Sequence, residues 1–214
     1  MCCPYSHLIW DFNGTLLDDV LHGINCVNPM LAARGLPILP DVEAYRAAFG
    51  FPIEDYYRRL GFDFEREDYK TVLAPEWVKH YLAGEESCPL MPGAAEAVRA
   101  VSAKGIPQLV LSASDQSMLR QQLTRLGLLD AFVEVRGLDN IHAHSKVGLA
   151  QAWREAHPQA TPLFVGDTEH DADVAAAIGA DCVLYTGGHQ SRSRLAACGV
   201  RLVDSLTEIL DLLP

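Results

Sequence analysis

Five short apolar runs punctuate this chain: Leu8-Ile9-Trp10, Leu109-Val110-Leu111, Phe132-Val133-Glu134-Val135, Leu163-Phe164-Val165 and Val183-Leu184-Tyr185. Each is too short to be a buried helix, and each is followed by turn residues and then a segment of helical length. Strands that alternate with helices in this way need right-handed crossovers, which place helices on both faces of a parallel sheet. The expected class is therefore α/β, a Rossmann-like parallel core. Helices are predicted at Ala94 to Lys104, Gln116 to Leu126, Lys146 to Ala156, Ala172 to Ile178 and Ser191 to Ala197. Gly105, Gly127 and Gly179 follow three of them, where a left-handed cap residue is expected.

The rhythm breaks between Val20 and Glu86. There the apolar spacing is helical, as in Val20, Ile24, Val27 and Leu31, or Trp77, Val78, Tyr81 and Leu82. This pattern predicts a small α-helical insert, residues 18–87, covering one end of a core built from 1–17 and 88–214. The breaker-rich stretches Gly84 to Pro89 and Met91-Pro92-Gly93 would lead the chain back to the sheet.

At 214 residues and 49% hydrophobic, the chain can bury a core without disulfides or metals. Its net charge of −11 is the wrong sign for gripping nucleic acid or an anionic membrane surface. No apolar run reaches a membrane span, and Met1-Cys2-Cys3-Pro4 does not read as a secretion signal, so a cytoplasmic protein is expected, monomer or homodimer. Cys2, Cys3, Cys26, Cys88, Cys182 and Cys198 contain no C-x-x-C pair and read as free thiols.

In open α/β sheets, ligands bind beyond the carboxyl ends of the strands, so the polar residues ending the apolar runs belong together. The first run ends in Asp11-Phe12-Asn13-Gly14-Thr15-Leu16, the second in Ser112-Ala113-Ser114, and the fourth in Gly166-Asp167-Thr168-Glu169-His170-Asp171, while Lys146 opens a helix. Three acids converging on one sheet edge would repel one another unless cations were present.

That ordered set resembles the haloacid dehalogenase superfamily of phosphatases, across nearly the whole chain. Asp11 to Thr15 stands for the D-x-D-G-T motif, Ser112 for the strand-end hydroxyl, Lys146 for the lysine, and Gly166, Asp167 and Asp171 for G-D-x-x-x-D. Met91-Pro92-Gly93-Ala94 resembles the return segment of phosphoglycolate-phosphatase-like members. The resemblance implies a Mg²⁺-dependent phosphatase that works on a small phosphorylated metabolite through an aspartyl-phosphate. Asp11 would be the nucleophile, since attack by a carboxylate splits one hard step into two. Mg²⁺ would be held by Asp11, the Asn13 main-chain carbonyl and Asp167, with Asp171 in an outer position orienting a water. Thr15, Ser112, Ala113 and Lys146 would meet the substrate's phosphoryl group.

Asn13 departs from the pattern. Most phosphatases of the family carry an aspartate there, which protonates the leaving group and then activates water. An amide has no titratable proton near neutral pH. A second reading follows, that of a catalytically weakened protein that binds or senses a phospholigand. The pair His142 and His144 reads as a polar loop rather than a zinc site. His170 lies near the expected site, with exposure and function equally open. Arg46, Arg58 and Arg59 could meet a second anionic group of the substrate but read first as a solvated helix face. Phe49-Gly50-Phe51-Pro52-Ile53 is the candidate substrate loop.

Overall fold

Strand β1 (His7–Trp10) lies near the middle of a six-stranded sheet in the order β3-β2-β1-β4-β5-β6, and every strand pairs in parallel. The others are β2 (Gln108–Asp115), β3 (Glu134–Leu138), β4 (Pro162–Gly166), β5 (Asp181–Tyr185) and β6 (Arg201–Val203). This computed structural model describes residues 4–138 and 146–213. Cys2, Cys3, His142 and His144 lie outside the described residues.

Leu8, Ile9 and Trp10 have no exposed surface because β1 is covered on both sides. Alternation along the strand sends Leu8 and Trp10 into one core, with Val98 and Val101 of α5 (Ala94–Ala103). Ile9 enters the other, with Trp153 of α7 (Val147–Ala156) and Val174 of α8 (Glu169–Ala177). The remaining core-side helices are α6 (Gln116–Arg125) and α9 (Arg192–Ala196). Gly105, Gly127 and Gly179 all take positive φ, as their place after helices requires.

Several boundaries differ from the sequence reading, among them that of β2, which runs on through Ser112-Ala113-Ser114 to Asp115, and one strand was not foreseen. β3 begins at Glu134 because Phe132 turns inward to the core after a short 3₁₀ turn, leaving Val133 65% exposed. Helix α8 starts at Glu169, since Thr168 and Asp171 form a capping box at its first turn. Strand β6 is three residues long and only one of them, Val203, is buried, too weak an apolar signal to stand out.

Between β1 and α5 the chain is helical: α1 (Val20–Ala33), α2 (Val42–Ala48), α3 (Ile53–Arg59) and α4 (Ala74–Leu82). The strand order reverses between β1 and β4, which opens a crevice at the carboxyl edge of the sheet, and the inserted helices face that crevice. Cys26, Cys88, Cys182 and Cys198 are all free thiols. Among the described residues no helix is long and apolar enough to cross a membrane.

Candidate active site

Asp11 is the first residue past β1, and its amide donates to the Val165 carbonyl of β4, which fixes its side chain at the crevice. The chain then folds tightly over itself: Leu16 and Leu17 both donate to the Phe12 carbonyl, and Gly14 takes φ of 73°. A side chain at Gly14 would run into the Asp167 carboxylate and the His189 ring, so only glycine fits this crossing.

Asp11, Asp167 and Asp171 come together here, each offering a carboxylate oxygen within 4.8 Å of the others, and all are buried. Lys146, just before α7, reaches into the group: its Nζ lies 2.5 Å from Asp11 Oδ1 and 2.6 Å from Asp171 Oδ1. Asp171 Oδ2 accepts from the Asp167 and Thr168 amides and the Thr168 hydroxyl. Asp167 is held by the Thr15 hydroxyl at 2.9 Å and the His189 amide at 2.7 Å.

Charge explains how this cluster behaves. Burial pushes Asp11 well above the ordinary carboxylate range; Lys146 draws it down, while Asp171 and Asp167 push it further up. Burial likewise carries Asp167 to about 6, against the pull of His189. Burial would also raise Asp171, but the Lys146 ammonium and the hydrogen bonds from Thr168 hold it below its usual value. The acids thus exceed the positive charge that faces them, and an all-oxygen set of this kind suits a hard divalent cation such as Mg²⁺.

Asn13 belongs to a second network that the sequence did not reveal. Its amide nitrogen donates to Asp19 Oδ2 at 2.7 Å and to the Tyr81 hydroxyl at 2.9 Å, while its oxygen accepts from Ser114 Oγ at 2.7 Å. Ser112 Oγ in turn donates to Ser114 Oγ. On the other side, Asp19 Oδ1 accepts from the Gly14 amide at 2.9 Å and from His189 Nε2 at 3.1 Å. Burial alone would lower His189, but the Asp19 charge and hydrogen bond, with Asp167 and Asp11 beyond, carry it up to about 9. The imidazolium therefore donates through Nε2 to Asp19 and through Nδ1 to the Tyr45 hydroxyl at 2.9 Å. Burial would raise Asp19, yet His189, Asn13 and Gly14 together bring it below its usual value.

Most of these groups open onto one cavity of about 460 Å³ between sheet edge and inserted helices, whereas Asp167 is fully buried just behind it and does not line it. Asp11, Asn13, Ser112, Ala113, Lys146 and Asp171 line it. Thr15 does not: it is fully buried and its hydroxyl is spent on Asp167, so it supports a carboxylate rather than facing the cavity. Phe49, Phe51 and Ile53 of the candidate loop line the same cavity as Asp11, whereas Gly50 faces Arg194. His170 is half-buried on the cavity wall with its ring against Phe51, and burial lowers its pKa. None of the three singled-out arginines lines the cavity. Arg46 ties α2 to the Gly187 and Gly188 carbonyls, Arg58 pairs with Asp55 and Arg59 bonds the Ala48 carbonyl.

Asp19, Tyr81 and His189 are site residues that sequence reasoning missed. His189 had a usable signal, because it follows the fifth apolar run in Thr186-Gly187-Gly188-His189, where the same strand-end logic applies.

Residues 8–185 match the family described as haloacid dehalogenase-like hydrolase. The chain is 27% identical over 190 residues to a phosphoglycolate phosphatase of Rhodobacter capsulatus, covering 86% of this chain and 85% of that one. It is 24% identical over 216 residues to the phosphoglycolate phosphatase of Synechococcus elongatus, covering 95% and 94%. In fold it resembles a haloacid dehalogenase-like family hydrolase from Streptococcus pneumoniae, with TM-score 0.83, 18% identity, and 98% and 99% of the two chains aligned.

Proposed function

Because the chain belongs to the haloacid dehalogenase-like hydrolases, we propose that it is a phosphatase that hydrolyses a small phosphorylated metabolite through an aspartyl-phosphate on Asp11. The observation that carries this reading is the buried Asp11 carboxylate, paired to Lys146 at 2.5 Å and open to a substrate-sized cavity at the sheet edge. Phosphoglycolate phosphatases among its relatives support the reaction class.

In the first step an Asp11 oxygen attacks phosphorus, and the bond from phosphorus to the ester oxygen breaks. Lys146, held by Asp11 and Asp171, opposes the rise that burial imposes on Asp11 and brings a positive charge to the transferring phosphoryl group. Ser112, Ala113 and the adjoining backbone line the pocket for its oxygens. Mg²⁺, held by Asp11, the Asn13 main-chain carbonyl and Asp167 with Asp171 behind, would neutralise charge on the phosphoryl oxygens. The departing alkoxide takes its proton from water; a second water then attacks the aspartyl-phosphate, restoring Asp11 and releasing phosphate and a proton. Asn13 gives no proton to the departing oxygen, because its amide nitrogen is not acidic and both of its hydrogens are already donated, to Asp19 and Tyr81. The helices between residues 18 and 87 act as a cap that closes this chamber and selects the substrate.

A screen of phosphate release from small phosphomonoesters and acetyl phosphate, with and without Mg²⁺, tests the proposal. Activity that depends on Mg²⁺ and falls at least about 10³-fold in Asp11→Asn is expected. Activity that survives Asp11→Asn sinks the nucleophile assignment, and tight phosphoester binding without any release favours the phospholigand-binding reading.

A further inference from the structure

The walls of the cavity beyond the carboxylates are apolar and aromatic. Phe49, Phe51, Tyr56, Trp77, Val78 and Met118 face it from the inserted helices and from the first turn of α6. The rings are organised against one another: Phe49 packs edge-on to Tyr56 with centroids 5.3 Å apart, and Trp77 stacks on Tyr81 at 4.9 Å. At about 460 Å³ the space falls in the range that encloses a ligand of drug size. A phosphoryl group with two carbons would leave most of it to water.

Charge narrows the occupant further. Among the described residues that line the cavity, Lys146 is the sole lysine or arginine, and it sits at the reacting end. Three arginines of the inserted segment are committed elsewhere, Arg34 to Glu67 and Glu76, Arg46 to the Gly187 and Gly188 carbonyls and Arg58 to Asp55, while Lys70 and Lys79 are exposed and do not line the cavity. His189 has its charge matched by Asp19. Besides the tyrosines, the lining of the far walls holds His170, its ring packed on Phe51 at 4.8 Å, and two acids, Glu85 and Asp115, each already accepting: Glu85 from Gln122, Asp115 from the Ser117 and Met118 amides. A substrate carboxylate would be stripped of water there with no second lysine or arginine of the described lining to receive it. A flat apolar body would instead lie against ring faces and edges.

From this chamber we infer that the preferred substrate is a phosphate monoester whose alcohol part is a bulky, uncharged aromatic group, and that phosphoglycolate is a poor one. The inference rests on the phosphatase reading and refines it.

The test compares kcat/KM for four esters of primary alcohols, so that leaving-group basicity is nearly constant: 2-(2-naphthyl)ethyl phosphate, ethyl phosphate, phosphoglycolate and phosphoethanolamine. The naphthylethyl ester is expected to exceed each of the others by about 100-fold, from burial of its two fused rings. If phosphoglycolate or phosphoethanolamine equals or exceeds it, the inference is overturned while the phosphatase reading stands. If no ester and no acetyl phosphate is hydrolysed, the phosphatase reading fails. Calorimetry then decides the substrate class, and a naphthylethyl ester that binds no tighter than ethyl phosphate overturns it. As an independent check, Met118→Arg places a cation on the half-buried wall of α6. It should move the ratio of phosphoglycolate to naphthylethyl phosphate upward by at least about 10-fold, and an unchanged ratio counts against this wall meeting the substrate.

Discussion

Replacing Asn13 by aspartate would place a part-buried carboxylate face to face with the buried one of Asp19. The Asn13 amide nitrogen lies 2.7 Å from Asp19 Oδ2, so the substitution turns a donor-to-acceptor contact into one between two acceptors. At an effective dielectric constant of about 20, two unit charges at that distance repel by about 6 kcal/mol. Holding one proton on a carboxyl of ordinary pKa costs about 5 kcal/mol at pH 7.5 and about 1.5 kcal/mol at pH 5, so the pair takes up a proton rather than bear the repulsion. Asn13→Asp should therefore lose about 5 kcal/mol of unfolding free energy at pH 7.5, and most of that loss should vanish at pH 5. The exchanged variant Asn13→Asp with Asp19→Asn restores the donor pattern. Its residue 19 oxygen can still accept from Gly14 and His189, as Asp19 Oδ1 does, and its amide can donate back to residue 13. It should recover at least half of the single variant's loss. Urea unfolding at both pH values measures this, with phosphate release as a second readout. The exchanged variant, now carrying an acid where the family places one, should gain about 10²-fold on alkyl phosphates and much less on aryl phosphates. A single variant as stable as the wild type at pH 7.5, or an exchanged variant no more stable than the single one, would refute the pairing of Asn13 with Asp19.

Two further outcomes follow from the same charges. Lys146→Met removes the ammonium that faces Asp11 and Asp171, so urea unfolding in EDTA should show a loss of about 3 to 5 kcal/mol along with loss of phosphate release; an unchanged midpoint would mean that the carboxylates are neutralised some other way. His189 is raised from 6.5 to about 9 in the folded protein, so its pairing contributes stability that is whole below pH 6.5 and lost as pH rises through about 9. The gap in unfolding free energy between wild type and His189→Gln should thus shrink by about 3 kcal/mol between pH 6 and pH 9.5, and a gap independent of pH would contradict the imidazolium assignment.

The parallel sheet was legible because strands buried on both faces must be continuously apolar, as in Leu8-Ile9-Trp10 and Leu163-Phe164-Val165. The carboxylate cluster was legible for a related reason: in such a sheet the residue after each strand has one place to go. What could not be read was the network around Asn13. Asp19 is six residues away in sequence, but Tyr81 is 68 away and Ser114 is 101 away, and their meeting depends on how α4 settles over the crevice. Helical periodicity marked Tyr81 as facing inward without telling core from cavity. Thr15 illustrates the converse, a motif residue beside the site whose hydroxyl is turned to Asp167.

The hydroxyls of Tyr81 and Tyr45 end on Asn13 and His189, and Arg46 grips the two carbonyls just before His189. Any displacement of the inserted helices from the sheet edge would therefore break polar bonds to the same residues that brace the floor of the cavity. Without those contacts the Asn13 amide would keep Asp19 as a partner but lose Tyr81, and His189 would keep Asp19 but lose Tyr45, so the seat of the inserted helices and the order of the catalytic floor are one and the same property.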